Sequence, residues 1–248
     1  MRTALWPAAV LLALAPVSFS QSSPGPLPLQ TNSGTGFTGA PYSGKQTTVK
    51  THTLTDGTTA TETFVEFLWR DAEGRTRREM VQRADSGEEY RSVIITDPVA
   101  GVYLKWVVGY PSPRRVMHIW PVTPAQRVTA PPSSVPRLSA NPSPTASTPG
   151  FRREILAPQE INGVYAEGTR TTRGIPLQGE SGMRVIEVTN ELWISPDLRI
   201  IVRHITDDPR SGETITDVTD VVRGDPDPSL FQAPKGYQAV DHRAPGDR

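Results

Sequence analysis

The chain has 248 residues, with 26 Lys+Arg against 26 Asp+Glu, 25 Pro, 20 Gly and no Cys. That length suits one large domain or two small ones and is enough to bury a core. Zero net charge removes the basic excess that a nucleic-acid partner demands. The missing cysteine removes disulfides, thiolate metal sites, a Cys nucleophile and a lipidated Cys anchor.

Residues 1–20 read as an export signal. Arg2 is their one charge, an apolar run follows from Ala4 to Phe19, and the small residues Ser18 and Ser20 occupy the −3 and −1 positions of a cleavage site. Cleavage after Ser20 is therefore expected, with a periplasmic or extracellular destination. The run is short and broken by Pro7 and Pro16, and no later stretch approaches ~20 apolar residues, so no transmembrane segment is expected in the mature chain.

Residues 21–41 are rich in Ser, Pro, Gly and Thr and read as a flexible leader. Residues 42–240 read as a single β domain with a Pro-rich insertion at 121–150, followed by a short tail at 241–248. Ten of the 25 prolines fall between Pro111 and Pro149, and proline lacks the N–H that a ladder needs. No acid occurs from Pro98 to Arg153, whereas Lys105, Arg114, Arg115, Arg127, Arg137, Arg152 and Arg153 do. This cationic middle is either a solvated loop or a contact for an anionic partner.

The remainder alternates as strands. Expected strands cover Thr47–Leu54, Thr61–Trp69, Arg75–Val81, Val93–Thr96 and Val102–Val108, then Val164–Thr172, Arg184–Ile194, Leu198–Thr206 and Thr214–Val222. Asp56-Gly57, Ser86-Gly87 and Ser211-Gly212 supply turns. The turns are too short for crossover helices, and no capped amphipathic helix is evident, so the chain predicts an antiparallel meander. A curved all-β sheet or half-barrel is the expected fold, with a β-sandwich as the alternative. A weak repeat runs through it: Leu68-Trp69 leads to Ser86-Gly87-Glu88 as Leu192-Trp193 leads to Ser211-Gly212-Glu213.

Candidate chemistry is sparse. His52, His118, His204 and His242 lie far apart, and no nucleophile elbow, phosphate loop or dinucleotide fingerprint occurs. No catalytic residue, metal ligand or cofactor is therefore assigned, and a non-enzymatic role is expected. Asp217, Asp220, Asp225 and Asp227 lack the spacing of a calcium loop. Arg75 and Arg77 share one strand face, where they either hold an anionic group or pair with Glu62, Glu66 or Glu79. Trp69, Trp106, Trp120 and Trp193 fall in or beside strands and either pack the core or line a face open to an apolar ligand. Trp69, Trp106, Trp193, Arg75 and Arg77 are the candidate ligand-binding residues.

Several stretches carry a resemblance. Gly74-Arg75-Thr76-Arg77-Arg78-Glu79, Ile95-Thr96-Asp97-Pro98-Val99-Ala100-Gly101, Ala166-Glu167-Gly168-Thr169-Arg170-Thr171-Thr172, Ser195-Pro196-Asp197-Leu198 and Asp208-Pro209-Arg210-Ser211-Gly212-Glu213 resemble uncharacterised secreted proteins of environmental Gram-negative bacteria over roughly residues 40 to 240. The ending Asp227-Pro228-Ser229-Leu230-Phe231-Gln232-Ala233-Pro234-Lys235-Gly236-Tyr237 is similar to the final segment of LolA/LolB-like carriers. That likeness implies a half-open barrel over a hydrophobic cavity, and partners among lipids, lipoproteins or envelope proteins. The helices that plug the carrier cavity are not found in this chain, and its Pro-rich insertion is foreign to them. The expected function is a non-catalytic binding or carrier module for a lipid or apolar ligand. The alternative is an envelope structural or protein-interaction module.

Overall fold

A computed structural model describes residues 38–54, 56–110, 115–122, 150–179 and 182–243. The expected signal, most of the leader, the bulk of the Pro-rich insertion and the end of the tail lie outside the described residues. What is described is one twelve-stranded open sheet, curved and almost free of helix. Its strands are β1 (Tyr42–Thr53), β2 (Thr59–Arg70), β3 (Thr76–Arg83), β4 (Glu89–Asp97), β5 (Val102–Val108) and β6 (Val116–Pro121). There follow β7 (Phe151–Ile161), β8 (Val164–Gly179), β9 (Gly182–Ser195), β10 (Ile200–Asp208), β11 (Gly212–Arg223) and β12 (Gln238–Asp241).

The spatial order is β12-β6-β5-β4-β3-β2-β1-β11-β10-β9-β8-β7. Two meanders thus lie side by side, and their seam is the antiparallel pair β1–β11. All pairs are antiparallel except β12 against β6. The turns expected from Asp-Gly and Ser-Gly form as tight connections, with Gly57 and Gly87 at φ +84° and +87°. The repeat has a spatial counterpart: β1–β4 and β8–β11 are each four-stranded meanders, with Trp69 ending β2 and Trp193 near the end of β9.

Three strands escape the sequence pattern. β7 is polar because it is an edge, exposed along nearly its whole length. β6 runs directly into the Pro-rich insertion and ends at its first residue, Pro121. β12 is four residues long and joins in parallel, which no local turn signal announces. Prolines inside strands occupy tolerated places. Pro158 sits where the β7–β8 register slips, and Pro176 lies beyond Arg173, the last β8 residue paired to β7.

Two apolar clusters hold the sheet. The first gathers Tyr42, Leu68, Ile161, Val164, Ala166, Trp193, Leu198, Ile200, Val202 and Val218, where the β7–β8 and β9–β10 turns meet β1, β2 and β11. Arg70, 1% exposed, pins this corner. It donates to the Ala40 carbonyl at 2.7 Å and to the Leu198 carbonyl, and lies 4.9 Å above the Tyr42 ring. Burial pushes the Tyr42 phenol up and the Arg70 guanidinium down from their ordinary values. The second cluster is Val93, Ile95, Leu104, Trp106 and Met117, with Tyr237 packed against it.

Candidate ligand-binding face

Register assigns side chains to faces. Leu68 opposes Arg78, which opposes Ile94, and Tyr42 opposes Arg70 on the same side. We name this side the Arg70 face. The other side carries Phe67 opposite Glu79, Val93 and Trp106 in turn, and Trp69 opposite Arg77 and Ile95. We name it the Arg77 face. Trp69, Trp106, Arg75 and Arg77 therefore share one face, because a strand repeats every two residues and antiparallel partners point the same way. Trp193 opposes Arg203 at the bulge between Ile201 and Arg203, where the alternation of faces breaks, and it packs in the first cluster. Trp120 opposes Tyr103 and Thr96 and falls on the Arg70 face.

Three of the five come together. The Arg77 guanidinium sits 5.9 Å from the Trp69 ring and 5.4 Å from the Trp106 ring. It is bound to Glu79 at 2.6 Å and donates to the Leu230 carbonyl at 2.7 Å. Arg75 pairs with Asp71 and Glu73 and lies 5.3 Å over Phe231. Hydrogen bonding to Asp71 raises its pKa. Trp193 stands apart on β9, far across the sheet from Trp106 on β5, with its indole N–H on Glu191 at 2.7 Å. Its ring fills the space where a Gly168 side chain would stand, since a Cβ there would meet ring carbons at 2.6 Å. Glu191 also accepts from Arg170 at 2.7 Å. Burial raises its pKa, and the Trp193 and Arg170 hydrogen bonds outweigh that and lower it.

The C-terminal segment crosses this face. Asp227 caps the 3-10 turn Pro228–Phe231 through the Ser229 N–H at 2.8 Å, and Phe231 is buried against the sheet. Tyr237 donates to the Val107 carbonyl at 2.8 Å before β12 pairs with β6. Trp106 is 4% exposed in consequence, and Trp193 is equally buried within the first cluster. Trp69 remains half-buried.

Away from the C-terminal segment the Arg77 face carries further apolar side chains, with the Arg91 guanidinium 5.4 Å over the Phe67 ring. Ile205 opposes Ile215, which opposes Val49, and Val65 opposes Val81, with Phe67 one step along. All six are half-buried, and neither core cluster includes them. Sequence reading passed over this strip. Val65-Phe67-Trp69 alternate visibly, but the cross-strand row depends on β1 meeting β11, which no local pattern encodes.

On the Arg70 face a shallow depression of about 340 Å³ is lined by Gln82, Tyr90, Ser92, Lys105, Val107 and Tyr110. Nearby, β12 brings together two histidines remote in sequence: His118 Nδ1 is 2.9 Å from His242 Nε2, and His242 stacks 4.9 Å from Trp120. Among the described residues, no group of three or more His, Asp or Glu is placed to hold a metal ion, and no helix is long and apolar enough to cross a membrane.

No protein-family model matches the chain, and no curated protein is similar to it. Its fold is similar to several solved structures. An uncharacterized conserved protein from Thermus thermophilus is 10% identical over 82% of this chain and 90% of that one, with a TM-score of 0.42. MucB is 13% identical over 81% of this chain and 60% of its own, with a TM-score of 0.39. A LolA superfamily protein from Nitrosomonas europaea is 14% identical over 82% of this chain and 94% of its own, with a TM-score of 0.34.

Proposed function

We propose that the protein is an exported, non-catalytic binding module for a lipid or another apolar ligand. The observation that supports this is the half-buried apolar strip on the Arg77 face, Val49, Val65, Phe67, Val81, Ile205 and Ile215, whose members join neither packed cluster. Apolar surface in that position gains free energy by being covered, at about 25 cal/mol per Å². An acyl chain laid across the strands fits a row of this kind, because it needs no hydrogen-bonding partner. Trp69 borders the strip, and Arg75, Arg77 and the buried Trp106 stand beyond it.

The experiment is periplasmic expression of the full chain, followed by native mass spectrometry and organic extraction. Co-purifying lipid is expected, and Phe67→Asp is expected to reduce its recovery about tenfold or more while the fold survives. Recovery of apo protein alone, together with no binding of a fluorescent fatty acid, would remove this reading.

A further inference from the structure

The edge strand β7 has a free side and a self-complementary sequence. It is the terminal strand of the sheet, bonded to β8 alone among the described strands. Gly174 N–H donates to the Gly150 carbonyl at 2.6 Å, so the pair 150/174 is a hydrogen-bonded one. Alternation from there turns Arg152 and Glu154 toward β8 and turns the N–H and C=O of Phe151, Arg153 and Ile155 outward. Phe151 and Ile155 are also 48% and 43% exposed. The run is short: it starts after Gly150, at φ +85°, and ends where the register slips between Leu156 and Gln159 and Pro158 removes a donor.

We infer that β7 pairs with β7 of a second copy of this chain, antiparallel about a two-fold axis at Arg153, continuing one sheet into the next. In this register the outward-turned residues meet each other: Phe151 faces the partner copy's Ile155, Arg153 faces its own counterpart, and each contributes both main-chain groups. The opposite side then sets Arg152 against Glu154 at both ends, in the closer non-hydrogen-bonded pairing. Two apolar pairs and two ion pairs result from one short run read against itself. Glu154 already lies 3.6 Å from Arg170, so the new pairs extend a Glu191–Arg170–Glu154 charge row across the axis. The Arg153 side chains are exposed and long enough to diverge. A neighbouring strand of unrelated sequence would satisfy the main chain equally, but it would not match this alternation of charge at both ends.

Sedimentation equilibrium on the full chain tests this. A monomer–dimer equilibrium with a dissociation constant on the order of 100 µM is expected for so small a strand interface. Ile155→Pro removes an outward N–H without touching the β8 ladder, and is expected to give monomer with unchanged circular dichroism and Tm. R152E and E154R each set like charges opposite each other and are expected to weaken dimerisation about tenfold or more. An equimolar mixture of R152E and E154R chains restores both ion pairs and is expected to recover the dimer. A wild-type chain that stays monomeric up to about 500 µM overturns the inference. So does a dimer that survives Ile155→Pro and R152E, or a mixture that fails to recover.

Discussion

The two meanders are built from the same kind of strand but are held in different ways. In β3–β6 the Arg77 face is covered by the C-terminal segment, which buries Phe231 and seals Val93, Ile95, Leu104 and Trp106. In β7–β9 only the corner of Ile161, Val164, Ala166 and Trp193 packs into the first cluster, and beyond it the long hairpin arms rely on their ladders and on side-chain ion pairs. Arg170 on β8 binds Glu191 on β9 at 2.7 Å and reaches Glu154 on β7 at 3.6 Å. Exposed ion pairs contribute little, roughly 0–1 kcal/mol each. Burial of a Phe or Trp contributes several times more. A sheet of one pattern therefore has a firm half and a soft half, and the difference is set by where the chain's last residues lie.

The largest expected effect is at the seam between the halves. Gly212 opens β11 at φ +88°, and a Cβ there would collide with the Thr51 carbonyl oxygen and stand 2.8 Å from the His52 Cα. Gly212→Ala is expected to cost about 4 kcal/mol or more, because both the backbone conformation and the approach of β11 to β1 are lost. Thermal denaturation would measure it, and an unchanged Tm would show that the seam does not couple the halves. Next comes the cover. Phe231→Ala is expected to cost about 3 kcal/mol. In hydrogen exchange, protection should fall in β3–β6 and hold in β8–β9. Uniform loss would erase the distinction between the halves.

The smallest effect is a pH dependence centred on β10. His204, on β10, is half-buried, and burial lowers its pKa below the ordinary 6.5. The unfolded chain thus takes up a proton more readily than the folded one. This contribution to stability is complete above about pH 6.5 and is lost as pH falls below it toward the folded value. Urea midpoints for wild type and His204→Gln should converge as pH falls through this window, and a parallel pair of curves would assign the loss elsewhere.

Local chemistry announced most of this sheet. The alternation in Thr61–Trp69 and Val102–Val108, and the glycine turns at Gly57 and Gly87, are short-range signals, and the strands and hairpins follow from them. The arginines after Gly74 could be read two ways, and the structure binds Arg77 to Glu79 and Arg78 to Glu66. What sequence concealed is what distance in the chain conceals. β7 is absent from the expected strands because an edge strand needs no apolar face. The parallel β12 joins β6 from far along the chain, as the His118–His242 contact across 124 residues shows. The apolar strip exists only once Val49 and Ile215 are opposed.

That opposition has a kinetic side. Thr48 and Thr216, bonded at 3.0 Å across β1 and β11, are 168 residues apart. The first strand to leave the ribosome lies in the middle of the sheet and must wait for the eleventh before its second edge is paired. Closing so long a loop is entropically costly before any contact rewards it, and chains of high contact order fold slowly. Until then β1 presents a Thr-rich edge to its surroundings. A β protein with this seam gains from staying unfolded until its whole length is available, which is the condition under which an exported chain crosses a membrane.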